Sequence, residues 1–128
     1  MREQIKVLVL DDEQIVCERL QDYLEKKGIY VETFNESKKA LERLKEKTFD
    51  VIVTDLKMQG PTGIDVLVAV KKESYKSEVI IITGYGSFET FREAEYVGAF
   101  DFISKPFQMS EIYNLVKKAA SKAHRHSK

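Results

Sequence analysis

The sequence predicts an α/β fold in which a parallel β-sheet is covered by helices on both faces. Three short aliphatic runs, Val7–Leu10, Val51–Val53 and Val79–Ile82, have the length and composition of strands buried on both faces. Five strand-like segments alternate with five segments of helical periodicity, which is the pattern of a parallel sheet. With 128 residues, the chain has the length of one domain.

The first predicted helix follows a strand over Ile5–Leu10. It runs from Glu13 to Lys27, and Gly28 is expected to end it because glycine readily adopts the left-handed conformation that follows many helices. One face of this helix carries its apolar residues, which are Val16, Leu20, Tyr23 and Leu24.

The second strand and helix come next. Tyr30–Phe34 alternates between apolar and polar residues, which indicates a strand near the edge of the sheet. Asn35 or Ser37 is expected to cap the following helix. The buried face of that helix is predicted to be Ala40, Leu41 and Leu44.

The central strand ending at Asp55 is followed by a loop with Gly60, Pro61 and Gly63. A third helix, running to about Ser74, is predicted from the spacing of Ile64, Leu67, Val68 and Lys71.

After a strand that ends at Thr83, Ser87 is expected to cap a fourth helix that Gly98 ends. The residues of this helix predicted to point inward are Phe88, Phe91 and Ala94. Phe100–Ser104 alternates like a second edge strand, and Ser110 opens the last helix. The apolar face of the last helix is Ile112, Leu115, Val116 and Ala119.

Three continuous and two alternating strands fit a five-stranded sheet whose second and fifth strands lie at the edges. This is the flavodoxin-like (βα)5 arrangement with strand order 2-1-3-4-5. We assign residues 1–123 to this domain and residues 124–128 to a basic tail or the start of a linker.

The composition excludes several classes of function. Acidic and basic side chains number 21 each, so no overall charge favours nucleic acid or an anionic membrane. Cys17 is the only cysteine, which excludes an internal disulfide. The sequence has neither a run as long as a membrane span nor a signal-peptide pattern, and we therefore expect a cytoplasmic protein.

Polar residues follow four of the five predicted strands: Asp11-Asp12, Asp55, Thr83 and Lys105-Pro106. The carboxyl ends of parallel strands meet at one edge, which is where ligands bind in such sheets. Three close carboxylates repel one another, so they either raise a pKa or hold a divalent cation. All-oxygen ligands favour Mg²⁺, or Mn²⁺ in its place.

Each of these residues has a simpler explanation when taken alone. The Asp11-Asp12 pair would be better explained as a cap of the first helix, and Lys105 as a surface lysine. Thr83 would be a strand-end hydroxyl bonded to the backbone. Their joint placement at one edge favours a site in which Lys105, Thr83 and a metal ion surround a phosphoryl group on Asp55.

With these residues in this order, the chain resembles the receiver domains of bacterial two-component response regulators. The resemblance covers about Lys6 to Ala120. The segments Ile82–Ser87 and Gly98–Phe107 most resemble receivers of enhancer-binding transcription activators, which carry an AAA+ ATPase and a DNA-binding domain downstream.

The resemblance implies that Asp55 accepts a phosphoryl group from a phosphohistidine on a sensor histidine kinase. Asp12, Asp55 and the backbone carbonyl of Lys57 would bind Mg²⁺ directly, and Asp11 would bind it through water. Lys105 would pair with the phosphoryl oxygens. The domain would be a phosphoacceptor switch rather than an enzyme.

The resemblance also implies how the domain would switch. Thr83 would move to hydrogen-bond the phosphate, and Phe102 would change its packing, although Phe102 is equally well explained as an ordinary edge-strand residue. The face of the fourth helix, fifth strand and fifth helix would then change and could form a homodimer. The Lys105-Pro106 bond would be cis, which an X-Pro bond permits at low cost.

A partner surface on the fourth and fifth helices is predicted to include Glu93, Tyr96, Tyr113 and Lys117. One departure from the family lies in Met58-Gln59-Gly60-Pro61, where Gln59 replaces the usual proline. Lys57 and Tyr85 occupy positions that tune the phosphoryl lifetime in this family.

Three other functions remain open. A Mg²⁺-dependent aspartyl phosphatase commonly needs a carboxylate two residues after its nucleophile, where this chain has Lys57. A flavodoxin needs a phosphate loop rich in hydroxyls and glycine, where this chain has Asp11-Asp12-Glu13. A receiver-like interaction module that is never phosphorylated ranks above both.

Overall fold

The structure, a computed structural model, describes residues 4–56, 60–73, 76–84 and 88–126. Within these ranges the strands are Lys6–Leu10 (β1), Tyr30–Phe34 (β2), Val51–Asp55 (β3), Glu78–Thr83 (β4) and Asp101–Ser104 (β5). The helices are Gln14–Lys26 (α1), Ser37–Glu46 (α2), Gly63–Lys72 (α3), Phe88–Val97 (α4) and Met109–His126 (α5).

All strand pairs are parallel, and the sheet has the order β2-β1-β3-β4-β5. The predicted flavodoxin-like fold is therefore confirmed. Every residue of β3 and β4 is buried, whereas the edge strand β2 is mostly half-buried and the edge strand β5 has exposed residues at both ends. The two alternating sequence segments thus form the two edges, as predicted.

Side chains of the strands alternate between two hydrophobic cores because successive residues of a strand point to opposite faces. In β1, Val7 and Val9 pack on the side covered by α1 and α5. Leu8 and Leu10 pack on the other side, which α2, α3 and α4 cover. Both faces of the sheet are closed, and the carboxyl ends of the strands are left to form a site.

The start of α2 differs from the prediction. Its N-cap residue is Glu36, and no side chain caps it. Asn35 instead donates a hydrogen bond to the backbone oxygen of Asp11 at 3.1 Å, and the Ser37 hydroxyl donates one to the backbone oxygen of Pro61 at 2.6 Å. Neither residue is a cap, because tertiary contacts with neighbouring loops take both side chains.

The buried face of α3 also differs from the predicted spacing. Its buried residues are Gly63, Val66, Leu67 and Val70, which follow the i, i+3, i+4, i+7 pattern of one helical face. Val68 lies off this face and is 43% exposed. The expected end near Ser74 lies outside the described residues.

Gly28 and Gly98 follow α1 and α4 with φ of 83° and 114°, as expected for residues that end helices. Ser87, the expected cap of α4, lies outside the described residues. The last helix, α5, continues to His126. The predicted boundary between residues 123 and 124 therefore falls inside this helix rather than at its end.

The residues of the predicted partner surface lie on α4 and α5 in the structure. Tyr113 packs against α1, where its ring lies 6.3 Å from the ring of Tyr23 in an edge-on arrangement. Lys117 lies over the Tyr113 ring at 4.4 Å. On α4, Tyr96 is 93% exposed. The contact with Tyr23 partly buries Tyr113, and the shared partner surface of α4 and α5 stays a prediction.

None of the helices in the described ranges has both the length and the apolar character needed to cross a membrane.

Candidate functional site

Strand register brings the predicted site residues to one edge of the sheet. Leu10 of β1 pairs with Thr54 of β3, so Asp11 and Asp55 lie at the same level. Asp55 pairs with Ile82 of β4, which places Thr83 one residue further out. The residue after β5, Lys105, donates its backbone N–H to the oxygen of Thr83 at 2.9 Å. The chain thus folds these side chains towards one opening.

Three carboxylates form a cluster at this edge. Asp11, Asp12 and Asp55 each offer an oxygen, and these oxygens lie within 4.8 Å of one another. Asp11 and Asp55 are buried, with 0% and 7% of their surface exposed, whereas Asp12 is exposed. A cluster with two buried members and one open member can bind a ligand that arrives from solvent.

Asp11 is held in place from several directions. Its Oδ1 accepts a hydrogen bond from the backbone N–H of Glu13 at 2.8 Å. Its Oδ2 is buried and has no partner in hydrogen-bond geometry within the part of the chain that the structure describes, although it lies 3.0 Å from Lys105 Nζ. Burial raises the pKa of Asp11, and the nearby Asp55 charge raises it further. A buried carboxylate oxygen without a well-aligned hydrogen bond is suited to bind an additional cation.

Lys105 supplies the positive charge of the site. Its Nζ lies 2.9 Å from Asp55 Oδ2, 2.9 Å from Glu13 Oε1 and 3.0 Å from Asp11 Oδ2. Burial alone would lower the pKa of Lys105, but hydrogen bonds to Asp55 and Glu13 and the close negative charge of Asp11 raise it above its ordinary value. The ammonium therefore stays charged at neutral pH.

One ammonium does not balance the charge of the carboxylates around it. Asp11, Asp12, Asp55 and Glu13 carry four negative charges when ionised, against the single charge of Lys105. The oxygen-only donors of the aspartate cluster match the preference of Mg²⁺ and Mn²⁺. The residues present therefore fit a divalent cation, with the buried Asp11 oxygen as the observation that supports it.

Thr83 is the last residue of β4, and Phe102 lies on β5 opposite Ile81. Thr83 is 2% exposed. Phe102 is half-buried, and its ring lies 5.2 Å from the ring of Phe91 on α4. The strand β5 therefore pairs with Thr83 through Ser104 and contacts α4 through Phe102.

Several predicted features fall outside the described residues. Lys57, whose carbonyl was expected to bind the metal, is one of them, together with Gln59 and Tyr85.

The Lys105-Pro106 peptide bond, for which the family resemblance implied the cis form, is cis in the structure.

Cys17 lies under the site but does not take part in it. Its thiol is 1% exposed and donates a hydrogen bond to the backbone oxygen of Asp11 at 3.4 Å. Burial raises the pKa of this thiol to about 11. A buried, protonated thiol is neither a nucleophile nor a metal ligand at neutral pH.

Sequence reasoning missed two residues of this edge. Glu13 was assigned only to the start of a helix, yet it binds Lys105 across 92 residues of sequence. Asn35 was considered only as a cap, yet it holds the Asp11 backbone. The acidic run Asp11-Asp12-Glu13 was the signal for Glu13, because it placed a third carboxylate beside the other two.

Residues 7–117 match the family model of the response regulator receiver domain. The chain belongs to this family. The match covers most of the chain and includes every residue of the described site. The predicted resemblance to receiver domains is therefore confirmed.

Two of the curated relatives of this receiver domain are named as transcriptional regulators. It is 36% identical to transcriptional regulatory protein ZraR of Escherichia coli K12 over 123 residues, which are 96% of this chain and 27% of ZraR. It is 34% identical to the DNA-binding transcriptional regulator NtrC of the same organism, covering 90% of this chain and 24% of NtrC. The chain spans about a quarter of the length of these relatives.

Solved receiver structures share the fold. The solution structure of the beryllofluoride-activated NtrC4 receiver domain dimer has a TM-score of 0.86 and 35% identity, covering 92% of this chain and 98% of that one. The chemotaxis protein CheY4 of Vibrio cholerae has a TM-score of 0.85 and 29% identity, covering 91% and 99%. Receiver domains generally bind Mg²⁺ at a cluster of acidic residues, and the cluster described here is of that kind.

Proposed function

We propose that this receiver domain is a Mg²⁺-dependent phosphoacceptor switch in which Asp55 accepts a phosphoryl group from the phosphohistidine of a sensor histidine kinase. The observation that carries the proposal is the position of the Asp55 carboxylate, which lies 2.9 Å from Lys105 Nζ and within 4.8 Å of two further aspartates. The kinase as donor follows from membership of the receiver family.

In the proposed reaction, an oxygen of Asp55 forms a bond to phosphorus while the bond from phosphorus to the histidine nitrogen breaks. The electron pair of that bond returns to the imidazole ring, and an acyl phosphate forms on Asp55. Phosphoryl transfer needs an aligned acceptor and positive charge near the phosphoryl oxygens. Lys105 provides such a charge, since its Nζ lies 2.9 Å from Asp55 Oδ2.

Asp11, Asp12 and Asp55 would hold the Mg²⁺ ion, or Mn²⁺ in its place, together with the Lys57 carbonyl that the family resemblance assigns. The bound ion would neutralise negative charge on the phosphoryl oxygens. Because the group ends on the domain's own side chain, the domain acts as a signalling acceptor and not as an enzyme with a separate substrate.

We further propose that phosphorylation changes the face formed by α4, β5 and α5. The phosphoryl group adds strong hydrogen-bond acceptors next to the strand end at Thr83. If Thr83 turns towards them, Phe102 gains room to move, and its contact with Phe91 links that movement to α4. The NtrC4 receiver is described as a dimer in its activated form, and we propose a similar dimer through this face.

The expected output is control of transcription, since ZraR and NtrC are transcriptional regulators. The receiver domain itself would not bind nucleic acid, because its 21 basic side chains are balanced by 21 acidic ones.

The decisive experiment is the intact mass of the protein after incubation with acetyl phosphate, with and without Mg²⁺. We expect the wild type to gain one phosphoryl group only when Mg²⁺ is present, and Asp55→Asn to gain none. Asp22→Asn, which changes an exposed aspartate of α1, is the matched control and is expected to behave like the wild type. If the wild type gains no mass under any condition, the interaction-module function replaces this one.

A further inference from the structure

The Glu13 carboxylate reaches into the site from the start of α1. Glu13 occupies the N-cap position of this helix, but its side chain makes no capping hydrogen bond. Its Oε1 instead accepts a hydrogen bond from Lys105 Nζ at 2.9 Å. The side chain is 57% exposed, so the carboxylate lies on the solvent side of Lys105.

Lys105 is fully engaged in this arrangement. An ammonium group has three N–H donors, and three carboxylate oxygens lie within 3.0 Å of Nζ. Hydrogen-bond geometry is present with Asp55 and Glu13, while Asp11 Oδ2 is only close. A phosphoryl oxygen can bind Lys105 strongly only if one of these carboxylates gives up its contact.

Of the three carboxylates, Glu13 is the one free to leave. Asp11 is 0% exposed and is held by the Glu13 backbone N–H, and Asp55 is the acceptor itself. The exposed Glu13 side chain can rotate into solvent without leaving a buried charge unpaired. The negative charge of Glu13 also lies at the opening of the site, through which an anionic phosphoryl donor must approach Asp55.

We propose that Glu13 is a positioning residue that holds Lys105 at the opening of the site before phosphorylation. Its contact opposes the binding of Lys105 to the phosphoryl oxygens. This inference rests on the proposed phosphoacceptor function and assigns a residue that sets the rate of phosphoryl uptake. Glu13 acts through Lys105 and through repulsion of negatively charged donors, and it does not touch the reacting atoms itself.

The test compares phosphorylation rates of the wild type, Glu13→Gln and Glu13→Asp at saturating Mg²⁺ and low salt. Removing the charge in Glu13→Gln is expected to accelerate uptake from acetyl phosphate by about three- to tenfold. Phosphoramidate, which carries less negative charge, is expected to show a smaller acceleration. Glu13→Asp keeps the charge and is expected to stay near the wild-type rate.

The matched control is Glu18→Gln, which removes the same charge from an exposed position of α1. We expect its rate to equal that of the wild type. High salt, at about 1 M, is expected to reduce the difference between Glu13→Gln and the wild type without abolishing it, because it screens the repulsion of the donor beyond about 3 Å but not the direct contact of Glu13 with Lys105.

A second readout needs neither Mg²⁺ nor a donor. The ¹⁵Nζ resonance of Lys105 in the metal-free protein is expected to shift in Glu13→Gln and to stay unchanged in Glu18→Gln. Equal uptake rates for Glu13→Gln and the wild type would overturn the proposal, as would an equal acceleration in Glu18→Gln. A wild type that takes up no phosphoryl group would overturn the proposed function and this inference with it.

Discussion

His124 Nε2 lies 2.9 Å from Asp50 Oδ1, although 74 residues separate them in the chain. The other oxygen of Asp50 accepts a hydrogen bond from the backbone N–H of Lys6 at 2.8 Å. Asp50 therefore connects the last turns of α5 to the first residues of β1 and β3. This connection lies at the amino ends of the strands, whereas Asp55 lies at their carboxyl ends.

We expect His124→Ala to lower the free energy of unfolding by about 0.5–1 kcal/mol, which is typical of one partly exposed hydrogen bond to a charged group. The measurement is the urea midpoint at neutral pH. Ser121→Ala, at an exposed position of the same helix, is the control and is expected to leave the midpoint unchanged. Identical midpoints for His124→Ala and the wild type would show that the contact does not stabilise the domain.

The sequence was sufficient to predict the strands, their order and the edge at which the site lies. Buried parallel strands are continuous aliphatic runs, and each run here ends on the polar residue that it brings to the edge, as with Asp55 and Thr83. These features depend on local patterns and on the general rule for parallel sheets.

The contacts that the sequence did not predict are long-range pairings of polar side chains. Glu13 with Lys105 and His124 with Asp50 join segments that are 92 and 74 residues apart. Hydrophobic periodicity carries no information about which charged side chains meet. The same reason explains why Asn35 looked like a cap, since its contact with Asp11 depends on the packing of two loops.

The raised pKa of Asp11 makes the stability of the metal-free domain depend on pH. Burial shifts this pKa above its ordinary value of 3.8, so the folded chain binds the proton more tightly than the unfolded chain. Stability from this group is therefore greatest below pH 3.8 and falls as the pH rises through the folded pKa. Asp11→Asn removes the cost of burying this charge and is expected to stabilise the metal-free protein at about pH 7.

Urea unfolding in EDTA, from about pH 3.5 to pH 7, measures this effect. The difference between Asp11→Asn and the wild type is expected to grow as the pH rises and then to level off. Asp22→Asn, on the exposed face of α1, is expected to show no such growth. A variant that is less stable than the wild type at pH 7 would mean that the contact of Asp11 with Lys105 outweighs the cost of its burial.

Mg²⁺ is expected to stabilise the folded domain by binding the aspartate cluster. At about 100 times its dissociation constant, the ion raises the free energy of unfolding by about 2.7 kcal/mol, and EDTA reverses the change. Asp12→Asn is expected to lose most of this gain, since Asp12 is the exposed member of the cluster. Glu36→Gln, an exposed carboxylate outside the cluster, is the control. Equal gains in Asp12→Asn and the wild type would place the ion elsewhere.

Gly63, the first residue of α3, sets how closely that helix approaches the end of β3. A Cβ atom at this position would lie 2.4 Å from the backbone oxygen of Asp55 and 3.0 Å from Leu56 Cα, and neither backbone atom can yield without moving the strand end. We expect Gly63→Ala to cost about 2–3 kcal/mol in urea unfolding and to slow phosphorylation of Asp55, because the carboxylate shifts away from Lys105. Gly84→Ala is the control, since its Cβ would meet Lys105 Cβ at an ordinary 3.9 Å and no other atom of the described residues within 4 Å. A Gly63→Ala protein of wild-type stability and rate would show that the β3–α3 connection adapts freely, and the position of Asp55 would then depend on the sheet alone.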